Sequence, residues 1–151
     1  MLDLKKILVP TDFSVHSEKA LQYGLELAGK FGSELHLFHV VEPLPVFFGD
    51  GVYVPPDSTA EVIAAAKTKL EEFDSVSHTR FKVVRSVVEG HPFVEIIQYA
   101  KENTIDLVIV GTHGRGAIAH MLLGSEAEKV VRKAPCPVLV VRDSEHDFVL
   151  P

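Results

Sequence analysis

The segment 111–125, GTHGRGAIAHMLLGS, sets glycine at 111, 114, 116 and 124 and closes on Ser125. Glycine lets a chain turn sharply and lets a ligand approach backbone that a Cβ would shield. A glycine loop between a strand and a helix also offers an anion unpaired N–H groups and the positive end of a helix dipole. Phosphate binding is the chemistry that this segment suits. Ser125 stands where a hydroxyl can donate to a phosphate, but Ser125 and Glu128 also match a capping box. Both roles stay open for it. Two phosphate fingerprints bear on the loop. GRGAIA at 114–119 fits the dinucleotide turn G-x-G-x-x-[GA], yet it follows the fourth expected strand rather than the first. Asp143 does follow the next strand, but the few residues after it offer no second half for a nicotinamide. The P-loop pattern G-x-x-x-x-G-K-[ST] is absent, so no lysine is placed for a γ-phosphate.

Other chemistries find less support. There are 8 histidines, of which His16, His39, His91 and His113 each follow an expected strand end and would share one rim of a sheet. No HExxH and no His-x3-His spacing occurs, and His36 and His39 would point to opposite faces of one strand. Capping and ordinary hydrogen bonding account for most of these side chains, and no metal site is expected. His113, inside the glycine loop, is the one placed as a phosphate contact. Cys136 lies between two prolines at a strand start, which reads as a packed thiol rather than a nucleophile. No nucleophile elbow G-x-S-x-G and no Cys–His arrangement is evident, so no catalytic residue is nominated.

The elements that must position the loop alternate in type. Strands are expected at 5–10, 33–41, 80–90, 105–111 and 136–142, each a short β-rich run bounded by turn residues. Between them, 14–31 carries Ala20, Leu21, Gly24, Leu25, Ala28 and Phe31 at helical spacing behind a Ser14 cap. A second helix at 57–73 shows a Ser58–Glu61 capping box and a stripe of Val62, Ala66, Leu70 and Phe73. A third at 91–103 has Pro92 in its first turn, where a missing N–H costs nothing, and a fourth spans 125–134. This alternation predicts an α/β parallel sheet with helices on both faces. The apolar strand 105–111 belongs in its interior, and Pro137 marks the last strand as an edge. Ligands in such sheets sit beyond the carboxyl ends of the strands where strand order reverses. The connection 42–56 is too proline-rich for a regular element and too apolar for an ordinary loop, which suggests a lid or a partner-contact flap.

Composition narrows the partners. At 151 residues, 46% hydrophobic and 24% charged, the chain fits one globular domain. A single cysteine excludes an internal disulfide and suits a reducing compartment. The start MLDLKKILVP lacks the apolar core of a secretory signal, and no apolar run reaches the ~20 residues that span a bilayer. A cytoplasmic protein without membrane attachment is expected. The net charge of −6 and the dispersed basic residues disfavour nucleic acid as a partner. A small anion remains compatible, because backbone amides bind phosphate without a basic surface.

The wider frame Gly111-x2-Gly114-x9-Gly124-Ser125 resembles the glycine pattern of nucleotide-binding universal stress proteins. KKILVPTDFS at 5–14, LHLFHVVEP at 35–43 and APCPVLVVR at 134–142 resemble that family's first, second and last strands, so the likeness runs along nearly the whole chain. It implies one domain over 1–151, an open five-stranded Rossmann-like sheet of order 3-2-1-4-5, and binding of ATP or another adenine nucleotide. Residue by residue, it implies that Asp12 accepts from the ribose hydroxyls, with Pro10 and Thr11 shaping the turn. Val40 would meet the adenine through its backbone, and Val110 and Gly111 would follow the ribose and phosphate. Gly114, Arg115, Gly116, Gly124 and Ser125 would surround the phosphates, joined by Mg2+ or Mn2+ where a metal accompanies them. The residues themselves also allow Asp12 as a helix cap and Arg115 as a solvated surface cation. Glu126 and Ala127 depart from the family pattern, and Glu126 turned toward the pocket would repel phosphate. The implied role is a nucleotide-dependent regulatory module of the stress response, homodimeric through the edge strand 137–142. A non-binding interaction module and a slow ATPase are the alternatives.

Overall fold

The structure, a computed structural model, describes residues 2–43, 46–53, 56–73, 80–112 and 123–142, with backbone alone at 46–48, 52–53 and 56–58. In chain order the elements are β1 (Lys6–Pro10), α1 (Val15–Phe31), β2 (Glu34–Val41), β3 (Val46–Phe48), β4 (Gly51–Tyr53) and α2 (Pro56–Phe73). They continue with β5 (Val83–Glu89), α3 (Pro92–Glu102), β6 (Leu107–Gly111), α4 (Ser125–Lys133) and β7 (Val138–Val141). Five strands form one sheet in the order β5-β2-β1-β6-β7, every pair parallel. Counted among themselves these strands run 3-2-1-4-5, the expected order, with β6 interior and β7 at an edge.

Burial on both faces explains why the strands read as continuous apolar runs. Side chains alternate across the sheet, so Ile7 and Val9 face one layer while Leu8 faces the other. The first layer joins Leu35, Leu37 and Ile109 to Ala20, Leu21 and Ala28 of α1 and Leu70 of α2. The second joins Phe38, Val108 and Val110 to Ile96 and Ala100 of α3 and Val130 of α4. At the amino ends of the strands, the Asp106 carboxylate accepts from the Lys5 and Lys6 amides at 2.9 and 2.8 Å, pinning β1 beside β6.

Four local expectations change. The segment 42–56 holds a regular element after all: β3 and β4 pair antiparallel around Gly49 and Asp50, with Gly49 at φ +58°. Its prolines flank the hairpin instead of interrupting it, a placement that strands tolerate. Helix α2 begins at Pro56, which puts Ser58 within the first turn rather than before it. Its inward stripe runs through Ile63, Ala66, Leu70 and Phe73, while Val62 is exposed. On α1, Phe31 is likewise exposed.

One buried polar cluster lies on the α3 side of β2. His36 is 3% exposed, with Nδ1 2.8 Å from the Tyr99 hydroxyl and Nε2 2.8 Å from Glu34 Oε1. Lys82 Nζ reaches the other Glu34 oxygen at 3.1 Å. Burial holds His36 below the ordinary imidazole range, opposed by the Glu34 charge. The hydrogen bond from Lys82 holds Glu34 below the ordinary carboxylate range, opposed by burial. A neutral imidazole with its proton on Nε2 accepts from the Tyr99 hydroxyl at Nδ1 and sets its N–H beside the Glu34 carboxylate, without the alignment of a hydrogen bond. The unfolded chain takes up this proton near pH ~6.5, and the folded chain only at lower pH. His36 therefore stabilises the fold above about pH 6.5, and that contribution is lost as pH falls below it. Calorimetric melting across this range should show a falling Tm, with a shallower slope in His36→Gln. An unchanged slope would contradict the assignment.

Candidate functional site

The site begins with strands of unequal reach. The β1–β2 register ends at Pro10↔Phe38, extended by the Thr11 amide donating to the Phe38 carbonyl at 2.8 Å. Strand β2 continues beside β5 to Val41↔Glu89, and β6 continues beside β7 to Gly111↔Val141. The chain leaves β1 for β2 on one side and later places β6 on the other, so strand order reverses here. The result is a notch beyond β1, flanked by Val40 on β2 and by Val110 and Gly111 on β6, at the switch point where such sheets bind ligands.

The turn 11–14 lies in that notch and is tightly held. Asp12 is not the cap of α1; Ser14 is, its hydroxyl accepting from the Ser17 amide at 3.3 Å. Asp12 stands two residues earlier, half-buried, with Oδ1 accepting from the Ser14 amide at 3.0 Å. Thr11 is buried, and its hydroxyl accepts from the Phe13 amide at 3.0 Å and lies 3.0 Å from Ser17 Oγ. The Thr11 carbonyl accepts from His39 Nδ1 at 2.7 Å, which fixes a proton on that ring nitrogen. Between them Phe13 adopts a left-handed backbone, φ +63°, costing ~1–2 kcal/mol for a residue with a Cβ. Its ring is held by the His39 ring at 4.5 Å, the edge-on Phe73 ring at 5.6 Å and Lys69 Nζ at 5.6 Å. The surrounding packing keeps this strained turn in one position beside the notch.

Opposite stands the glycine frame. A Cβ built on Gly111 would lie 2.6 Å from the His16 carbonyl oxygen, so glycine here lets the first turn of α1 close on the end of β6. Next, the buried Thr112 donates its amide to the Val141 carbonyl at 3.1 Å and accepts at its own carbonyl from the Gly124 amide at 2.6 Å. The two ends of the glycine segment are thus tied together. His113, Gly114, Arg115 and Gly116 lie outside the described residues. The expected Ser125–Glu128 capping box does not form. Gly124 is the cap of α4 and, having no side chain, supplies no side-chain cap bond. Ser125 becomes the first helical residue, and Glu128 instead reaches Arg132 at 2.8 Å. Gly124 places no cap side chain over the first N–H groups of α4, the end of a helix that suits an anion.

Glu126 faces elsewhere. Its Oε2 accepts from the Phe93 amide at 3.0 Å and lies 3.8 Å from His91 Nδ1, and its Oε1 pairs with Lys129 at 3.2 Å. His39 proves to lie within β2 rather than after it, and His16 belongs to the first turn of α1. The sequence did not nominate Phe13 or His39 as supports of Asp12. Phenylalanine carries no signal for a left-handed backbone, and the bond between His39 and Thr11 joins a residue of β2 to the turn after β1, 28 residues away. Among the described residues, no group of three His, Cys, Asp or Glu side chains could hold a metal ion. No helix among them is long and apolar enough to cross a membrane.

Sheet order and notch define a Rossmann-like α/β protein. The family model described as "Universal stress protein family" matches residues 3–142, and the chain belongs to that family. Universal stress protein MJ0531 of Methanocaldococcus jannaschii is 33% identical over 150 residues, covering 91% of this chain and 82% of that protein. The solved structure of MJ0577, from the same organism, superposes with a TM-score of 0.76 at 29% identity, over 96% of this chain and 100% of that one. A universal stress protein solved in complex with cAMP shares the fold, with a TM-score of 0.68 at 23% identity over 93% of this chain and 98% of that one.

The close approach at Gly111 gives a direct prediction. Gly111→Ala forces a methyl group against the His16 backbone, an overpacking that costs about 1–3 kcal/mol. Chemical denaturation should show this loss. Wild-type stability in the variant would mean that α1 and β6 are not packed as described.

Proposed function

We propose that the protein binds an adenine nucleotide in the notch beyond β1 and acts as a nucleotide-dependent regulatory module of the stress response. One convergence carries this reading: the Asp12 turn, the ends of β2 and β6, and the start of α4 without a side-chain cap all border one switch point. The relative held with cAMP supports the choice of an adenine nucleotide. In this reading the Asp12 carboxylate accepts from the ribose hydroxyls, on a turn shaped by Pro10 and Thr11. Val40 meets the adenine through its backbone, and Val110 and Gly111 line the path to the phosphates. Gly124 and Ser125 receive the phosphates together with His113, Gly114, Arg115 and Gly116. Mg2+ or Mn2+ enters bound to the phosphates. Asp12 and His113 are the residues in this set with a general base's chemistry, and the Asp12 Oδ1 is engaged by the Ser14 amide, which favours a binding module over a dedicated enzyme. The protein works in the cytoplasm as a homodimer joined through β7, an apolar edge strand whose outer backbone is a template for a second chain.

Calorimetric titration with AMP, ADP and ATP tests the binding reading. The unmodified protein should bind, and Asp12→Ala should weaken binding about tenfold or more, the worth of hydrogen bonds to a charged acceptor. No heat and no nucleotide released on denaturation would instead leave an interaction module. ATP turnover abolished by Asp12→Ala would make it an ATPase. In sedimentation, the unmodified protein should run as a dimer and Val140→Glu as a monomer. A monomeric unmodified protein refutes the edge-strand interface.

A further inference from the structure

Helix α3 lacks a side-chain cap of its own. His91 occupies its cap position without a side-chain bond, and Pro92, next in line, has no N–H to satisfy. Phe93 therefore carries the first N–H of that helix. Glu126, 33 residues away in the first turn of α4, accepts that N–H at 3.0 Å. The same turn is fastened a second time through Phe93, whose ring lies 4.9 Å from Lys129 Nζ and 5.4 Å from Lys133 Nζ. Lys129 also pairs with Glu126, closing a clamp that spans both helices. Its two anchor points matter for the notch. Glu126 sits directly after Gly124 and Ser125, and the Gly124 amide is itself bonded to Thr112 at the end of β6.

We propose that Glu126 is a positioning residue of the nucleotide site, capping α3 from α4 and so fixing the first turn of α4 at the notch. The inference rests on the nucleotide reading above and deepens it. Glu126 directs its charge to α3 and Lys129, so its carboxylate supports phosphate binding instead of opposing it. The needed property is an acceptor for the Phe93 amide, because a half-exposed pair with Lys129 contributes little. Glutamine supplies that acceptor and alanine does not.

AMP and ATP binding to the unmodified protein, Glu126→Gln and Glu126→Ala is measured by calorimetry, well below each variant's melting temperature. Glu126→Ala should bind AMP about fivefold more weakly, the scale of one lost cap, while Glu126→Gln stays within about twofold of the unmodified protein. Unchanged binding in Glu126→Ala, whatever its melting temperature, overturns the inference and leaves the nucleotide reading intact. Tighter ATP binding in both variants overturns it as well, by showing that Glu126 repels phosphate. An unmodified protein that binds neither nucleotide overturns the nucleotide reading, and the inference falls with it.

Discussion

The contact between Gly111 and the first turn of α1 governs how the carboxyl end of this sheet is built. With the His16 carbonyl 2.6 Å from where a Cβ would stand, only a hydrogen fits between helix and strand. That approach draws α1 over the end of β6, and with α1 comes the turn that carries Asp12. It also sets Thr112 where its carbonyl receives Gly124, so the glycine segment begins and ends at one place. Gly111 meets this packing requirement and so brings two distant segments to the same notch.

Around that contact the site is assembled from groups whose local preferences are overruled. Phe13 takes a backbone that its Cβ disfavours, and aromatic and cationic neighbours from β2 and α2 hold it there. Helix α4 starts at a glycine that cannot cap it, and α3 starts at a histidine and a proline that do not. The second deficiency is met by Glu126. The two helices of one layer therefore differ at their amino ends: α3 is capped by a side chain from its neighbour, and α4 begins at a cap residue that has no side chain.

Much of the architecture was legible because burial on both faces leaves a plain trace. After Lys6, ILVP is apolar throughout, as is LVIVG, and the helices between the strands carry their inward residues at helical spacing. Strand order came from family resemblance, since local pattern does not state which strand lies beside which. The misses have particular causes. Val62 and Ile63 both fit a stripe with Ala66 and Leu70, and only packing on β2 and β5 chooses Ile63. Ser125 and Glu128 match a capping box that the chain sets aside by placing Gly124 at the cap. Prolines around 43–56 concealed the hairpin of Val46–Phe48 and Gly51–Tyr53 because they bracket it. Glu126 was read for its charge alone, and its partner at Phe93 lies on another helix.

The central claim is a location: an adenine nucleotide held in the notch beyond β1. Titrating isotope-labelled protein with AMP and following backbone amide resonances tests it most directly. The account predicts shifts concentrated at Thr11, Asp12, Val40, Gly111, Thr112, Gly124 and Ser125. Shifts centred instead on the open cleft lined by Lys67, Arg85 and Tyr99, or no shifts at all, would contradict it.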